Sequence, residues 1–81
     1  MNTERLQELQ EALRLQDERI QDFRDSLANP MATFTVASSD FRKGRRVSVE
    51  ITFEMAEPFL RIGLRTAERK RTAIAEAIRA L

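Results

Sequence analysis

Two amphipathic helix patterns, one at each end of an 81-residue chain, constrain its fold more than any other feature. In each pattern, apolar residues recur at alternating three- and four-residue steps, which is the spacing of a coiled-coil seam. The first seam comprises Leu6, Leu9, Leu13, Gln16, Ile20, Phe23 and Leu27, and the second comprises Leu60, Leu64, Ala67, Arg71, Ile74, Ile78 and Leu81. Two helices that each carry one apolar stripe can bury both stripes by packing together.

Local signals mark the ends of these helices. Thr3 is a suitable N-cap for a helix over residues 3–28, and Asn29-Pro30 ends it because the residue before proline avoids the α region. A second helix is expected over residues 57–81. Pro58 would then lie in its first turn, where a missing N–H costs no hydrogen bond.

The segment between the helices has the pattern of a β-hairpin. Apolar and polar residues alternate over 32–37 and 46–54, which predicts two strands with one buried face each. Lys43-Gly44 lies between them, and glycine supplies the positive φ that tight hairpins need. We therefore expect an α+β fold in the order α-β-β-α, with two long antiparallel helices and a two-stranded hairpin over 32–54, in one domain spanning 1–81.

A chain reversal at Lys43-Gly44 brings the strands and the helices into one common register. The pairs that it predicts are Phe34 with Phe53, Val36 with Ile51, Phe23 with Leu64, Ile20 with Ala67, and Gln16 with Arg71. One register thus satisfies both the strand pairs and the helix seams, and such agreement is typical of a sequence that encodes a single fold. We therefore expect the helices to pair within the chain. A coiled coil between subunits is the alternative.

Two helices and a lone hairpin enclose little core, so the sequence also predicts self-association. A two-stranded hairpin is marginal in water, small chains often need a second stabilising feature, and the absence of cysteine excludes disulfides. The residues expected to cover the apolar face of the hairpin are Met31, Met55, Phe59 and Ile62. Leu15, Ala73, Ala77 and Ala80 lie partly outside the seams, where another helix could approach. The expected state is a dimer or higher homo-oligomer.

The composition argues against catalysis. Histidine, cysteine and tyrosine are absent, which removes the commonest general base, the thiolate nucleophile and the phenol. Most aspartates and glutamates fall at solvent-facing helix positions, and the sequence contains no phosphate-cradling loop. We therefore expect no enzyme activity, no catalytic or metal-binding residues and no cofactor.

Charge is unevenly distributed, although the net charge is only +1. Residues 1–29 carry four basic and seven acidic groups, net −3, whereas residues 57–81 carry six and three, net +3. This asymmetry suits two elements lying side by side. The charged N-terminal pattern differs from a signal peptide, and no apolar run approaches the length of a membrane span. We expect a cytoplasmic protein without membrane contact.

The most distinctive local cluster surrounds the predicted hairpin turn. It consists of one aromatic residue and four cations, Phe41, Arg42, Lys43, Arg45 and Arg46. A basic β-ribbon can place arginines on nucleic-acid phosphates while phenylalanine stacks on a base. Nucleic acid or another polyanion is therefore a candidate partner. The alternative is a solvated turn whose charges prevent edge-to-edge aggregation.

Gly44-Arg45-Arg46-Val47, at the turn and second strand, is followed after Phe53 by an amphipathic helix. This arrangement resembles the phage lambda head-to-tail joining protein W family over roughly half of the chain. The resemblance implies a virion connector subunit that docks in a ring with portal and tail proteins near DNA. The basic turn residues would then be the positions to test, and the protein would be located in the host cytoplasm or the virion.

Three functions remain open at this point. The first is a non-enzymatic oligomeric structural or interaction protein, of which a virion connector is one form. The second is a nucleic-acid-binding module that uses the hairpin tip. The third is a small inhibitor or ligand-sequestering protein that acts on a host factor. Another protein is the expected partner in the first and third cases.

Overall fold

The computed structural model describes the backbone of residues 3–40 and 45–81, and the side chains of these residues except 39, 40, 45 and 46. Its elements are helix α1 (Thr3–Leu27), strand β1 (Phe34–Asp40), strand β2 (Arg45–Ile51) and helix α2 (Phe53–Arg79). The helices pack along each other, and the strands pair in an antiparallel sheet. These observations confirm the α+β fold in the order α-β-β-α.

The helices pair within the chain, in nearly the register expected. Phe23 lies against Gly63, one residue from its predicted partner Leu64. Arg71 Nε donates a hydrogen bond to Asp17 Oδ1 at 2.5 Å, one residue from its predicted partner Gln16. The side-chain oxygen of Gln16 is buried without a hydrogen-bond partner among the described residues.

The helix interface buries few side chains completely. Among the described residues, the buried hydrophobic ones are Leu9, Ile20, Ala56 and Ala67. The other apolar residues of the two seams are half-buried, apart from the exposed Leu81. A single pair of helices covers one side of each helix and leaves the remaining sides to solvent.

The hairpin register differs from the prediction by two residues. Phe34 pairs with Ile51, and Val36 pairs with Val49, so the predicted partners Phe53 and Ile51 are wrong. Phe53 lies in the first turn of α2 rather than in β2. Its ring nevertheless contacts Phe34, with ring centroids 6.0 Å apart. One common register through strands and helices is therefore wrong. The strands also occupy 34–40 and 45–51, not 32–37 and 46–54.

Helix α2 begins at Phe53 rather than at residue 57, because Thr52 caps it directly after β2. Thr52 is extended, and its Oγ1 accepts a hydrogen bond from the Met55 N–H at 3.4 Å. Such caps satisfy one of the free N–H groups at a helix start. Pro58 therefore lies in the second turn, not the first as predicted, and cannot donate to the carbonyl of Glu54.

The molecule is a thin layer, with principal extents of 48 × 35 × 14 Å over the Cα atoms. Contacts between elements are concentrated within the helix pair and within the strand pair, and the hairpin makes few contacts with either helix. One layer of secondary structure cannot enclose a core by itself. The broad faces of the hairpin and of the helix pair are therefore accessible.

Candidate interaction surface

The basic hairpin tip is described only in part. Phe41, Arg42 and Lys43 lie outside the described residues, and only the backbone of Arg45 and Arg46 is described. The strand ladder extends to the pair Asp40–Arg45, so both arginines belong to the first residues of β2. Contact between this cluster and a polyanion stays a prediction.

One face of the hairpin is apolar and open to solvent. The observed pairing places Val36, Val47 and Val49 on the same face as Phe34 and Ile51. The three valines, which we call the hairpin apolar face, are 54%, 58% and 55% exposed. The opposite face carries polar side chains such as those of Thr35, Ser48 and Glu50.

The residues expected to cover this face are themselves exposed. Met31, Met55, Phe59 and Ile62 are 90%, 59%, 70% and 61% exposed, so the predicted cover is wrong. The physical reason lies in α2, which turns its small residues Ala56, Gly63 and Ala67 toward α1 and leaves these larger side chains outside the interface.

Met55, Phe59 and Ile62 form a second apolar side of α2, which we call the α2 apolar stripe. Their spacing of four and three residues places them on one side of a helix, roughly 110° around from the buried Ala56 and Ala67. The same spacing is visible in the sequence. It was not sufficient to identify a free surface, because periodicity alone does not reveal which side meets a neighbour.

A groove of about 360 Å³ runs beside this stripe, between the two helices. Phe23, Gly63, Thr66 and Ala67 line its length, and Arg19, Asp22 and Lys70 bring charged groups to it. Glycine at 63 makes room for the aromatic ring, since a Cβ there would lie 2.5 Å from Cε1 of Phe23. The groove is thus an open feature of the helix interface.

Most ion pairs of the described residues link neighbouring turns of one helix. Arg14 pairs with Glu11 and Glu18, and Arg61 pairs with Glu57. Arg71 and Asp17 form the ion pair that joins the two helices in the described part of the chain. Exposed pairs of this kind contribute little to the folding free energy.

The Arg14–Glu11 pair also shifts the pKa of both side chains. The hydrogen bond from Arg14, supported by its charge, lowers the pKa of Glu11 below the ordinary glutamate value. The same bond, together with the charges of Glu11 and Glu18, raises the pKa of Arg14. Because the lowered pKa favours the carboxylate in the folded chain, the pair supports folding above the ordinary glutamate pKa. That support is lost as pH falls through the lowered value.

The described residues contain no cluster of acidic side chains arranged to hold a metal ion. Neither described helix has a stretch long and apolar enough to cross a membrane. Comparison of the chain with protein-family models, with curated proteins and with solved structures gives no match. The surfaces described above are therefore the basis for inferring a function.

Proposed function

We propose that this protein is a non-enzymatic interaction protein that self-associates and binds another protein. The supporting observation is the exposure of six large apolar side chains, those of the hairpin apolar face and the α2 apolar stripe, each 54–70% accessible. The described residues include only four buried hydrophobic ones. A small chain that leaves more large apolar side chains exposed than buried is typical of a protein whose core is completed by a partner.

The hairpin offers backbone groups as well as side chains to a partner. Strands β1 and β2 pair only with each other in the described structure, so each has an outer edge with unpaired N–H and C=O groups. Such edges can accept a further strand, which adds main-chain hydrogen bonds to apolar contacts. A partner that adds a strand and covers the valines would pair the free backbone groups of one edge and bury the hairpin apolar face.

Self-association is tested by sedimentation velocity over a wide range of protein concentration. We expect the average mass to rise with concentration, and we expect Val36→Thr with Val49→Thr to reduce that rise, because threonine keeps the strand shape but adds a hydroxyl. The matched control is Thr35→Val on the polar face. A strictly monomeric wild-type chain would contradict the proposed self-association.

Binding of another protein is tested with a photo-crosslinking amino acid placed at Val49 or at its neighbour Ser48. Alternate residues of a strand lie on opposite faces, so the two sites differ only in the face that they sample. We expect one discrete adduct with a different protein from position 49 and none from position 48. Equal labelling from both sites would count against the hairpin apolar face as the surface that binds another protein. A portal or tail protein in the adduct would support the virion connector role, and a host enzyme would support the inhibitor role.

Nucleic-acid binding is the second candidate, favoured by four cations between residues 42 and 46. A ribbon with cations at its end can neutralise phosphates, and its affinity for DNA would then fall steeply with salt. We expect replacement of Arg42, Arg45 and Arg46 by glutamine to abolish salt-dependent DNA binding in a fluorescence anisotropy titration. Replacement of Arg19, Arg24 and Lys70 by glutamine is the matched control. Unchanged binding after the tip replacement would exclude the tip as the contact.

A further inference from the structure

The outer edge of α1 carries a row of carboxylates. Leu9 and Ile20 are buried against α2, and a step of two residues turns a helix by about 200°, so Glu11 and Glu18 lie on the side away from α2. Asp22 lies between that side and the groove that it lines beside α2. The complete row, at alternating four- and three-residue steps, is Glu4, Glu8, Glu11, Leu15, Glu18, Asp22 and Asp25. All seven residues are exposed. We call this row the acidic edge.

The outer edge of α2 carries cations. Arg65 and Arg69 each lie two residues from the buried Ala67, and therefore on the side away from α1. The row continues at heptad spacing through Ile62, Arg65, Arg69, Thr72, Glu76 and Arg79, and all six residues are exposed. Its three arginines form no ion pair or hydrogen bond with any described residue. We call this row the basic edge.

The packing of the two helices sets the relative heights of the edges. Phe23 lies against Gly63, and Asp17 bonds to Arg71, so Glu18 lies at about the height of Arg69. By the same contacts, Asp22 lies near the height of Arg65, and Glu8 near that of Arg79. If a second copy lies beside the first in the same orientation, these heights are preserved. Each of the three arginines then faces a carboxylate of the neighbouring copy.

Two apolar side chains would also be covered by this arrangement. Leu15 is 44% exposed in the middle of the acidic edge, and Ile62 is 61% exposed on the basic edge. One facing pair has like charge, because Glu11 would lie near the height of Glu76. Glu11 already accepts hydrogen bonds from Arg14, which offsets part of that repulsion.

Symmetric pairing of identical edges is disfavoured by the same charges. Two basic edges together would bring Arg65 and Arg69 of both copies into proximity, and two acidic edges together would oppose a dozen carboxylates. Opposite edges attract, whereas identical edges repel. Charge complementarity therefore favours a second copy of this chain, lying beside the first in the same orientation, as the partner of each edge.

We propose that copies of this chain associate side by side in one direction, with the basic edge of one copy against the acidic edge of the next. This inference rests on the self-association in the proposed function and adds a contact between helix edges to the one expected at the hairpin apolar face. Each copy uses two different surfaces, so an open row of associated copies keeps one free acidic edge at one end and one free basic edge at the other. Such heterologous contacts produce a closed ring, or an open filament when the rotation does not close.

Charge reversal on one edge at a time tests this arrangement. The first variant is Glu18→Arg with Asp22→Arg, which places arginines opposite Arg69 and Arg65 of the neighbouring copy. The second is Arg65→Glu with Arg69→Glu, which places glutamates opposite Asp22 and Glu18 of the neighbouring copy. Sedimentation velocity at low salt should show weaker association than the wild type for each variant alone, because the contact between edges is lost. An equimolar mixture should associate better than each variant alone, because each variant then supplies the edge that the other needs. Circular dichroism verifies that both variants remain helical.

The control variant, Arg24→Glu with Lys70→Glu, changes the net charge as much as the second variant but lies off both edges. It should associate like the wild type. Wild-type association should also weaken as salt rises, since exposed charges are screened. If either edge variant associates like the wild type, or if the mixture associates no better than each variant alone, the side-by-side arrangement is wrong.

Because the chain contains no cysteine, disulfide trapping gives an independent test. Glu18→Cys with Arg69→Cys in one chain should give a ladder of multimers on oxidation, whereas each single cysteine variant should stay largely uncrosslinked. Efficient dimers from one single variant would show symmetric pairing and overturn the inference. Association that is unchanged by edge reversal but lost in Val36→Thr with Val49→Thr would contradict the side-by-side arrangement. The proposed function would then still stand. A monomeric wild type would contradict both.

Discussion

Single small residues decide how closely the two helices approach. The inner side of α2 carries Ala56, Gly63 and Ala67, and both alanines are only 3% exposed. The ring of Phe23 occupies the space beside Gly63 where any other residue would place a Cβ. Glycine lowers intrinsic helix stability by about 1 kcal/mol relative to alanine. At this position the loss is offset by packing of an aromatic ring between the helices.

Replacement of Gly63 by alanine should therefore destabilise the protein despite the higher helix propensity of alanine. We expect a net loss of about 1 kcal/mol in denaturant unfolding, because overpacking costs about 1–3 kcal/mol and propensity returns about 1. The background variant Phe23→Ala is the control, and Gly63→Ala should become stabilising in it. A stabilising effect in the wild-type background would show that the ring moves aside without cost.

The start of α2 shows how one element limits another. β2 ends at Ile51, Thr52 caps the next helix, and α2 begins at Phe53 with no intervening loop. The early start shifts Pro58 into the second turn, where its ring replaces an N–H that would normally bond to the carbonyl of Glu54. The helix is therefore weakest beside the hairpin, in the segment that carries Met55 and Phe59.

Replacement of Pro58 by alanine should strengthen this part of α2. A proline inside a helix costs about 3 kcal/mol, while loss of its constraint on the unfolded chain costs about 0.4–1 kcal/mol, so a net gain of about 2 kcal/mol is expected. Denaturant unfolding at fixed protein concentration measures the gain. Pro30→Ala, outside both helices, is the control and should give no gain. Equal effects of the two replacements would contradict the assigned position of Pro58.

The whole molecule consists of two units that share little surface. The helix pair holds the buried hydrophobic residues of the described chain, and the hairpin is joined to it by the connecting segments and the Phe34–Phe53 contact. Regions with few buried contacts open locally at low free-energy cost. A partner that covers the hairpin apolar face would therefore stabilise the hairpin more than the helices.

Amide hydrogen exchange should show this difference. Under conditions that keep the chain monomeric, we expect amides of β1 and β2 to exchange faster than those near Leu9 and Ile20 in α1. At concentrations that favour association, the protection of amides in β1 and β2 should rise by a larger factor than that of amides near Leu9 and Ile20. Amides in the first turn of α1 are the internal control, since helix ends fray in both conditions. A monomeric hairpin as protected as the middle of α1 would contradict the separation into two units.

Local pattern by itself determined the element order and the helix seams, because each follows from the spacing of apolar residues along one segment. The antiparallel direction of the helices follows from the chain reversal between the strands, and their pairing within one chain was decided by the tertiary structure. The start of α2 was not predictable in this way. Phe53 continues the alternation of Val49 and Ile51, so the pattern suits a longer strand, yet capping by Thr52 makes it helical. The observed hairpin register differs by two residues from the predicted one. With Phe53 in α2, the strands do not share one register with the helices.

The exposed surfaces were decided by tertiary structure alone. The sequence identifies Met55, Phe59 and Ile62 as apolar, but their exposure depends on which side of α2 meets α1 and on how little the hairpin contacts either helix. The opposite charges of the two edges are likewise present in the sequence. Their position on the outer sides, at matching heights, follows only from the way the helices pack. Periodicity is local, whereas exposure depends on every neighbouring element.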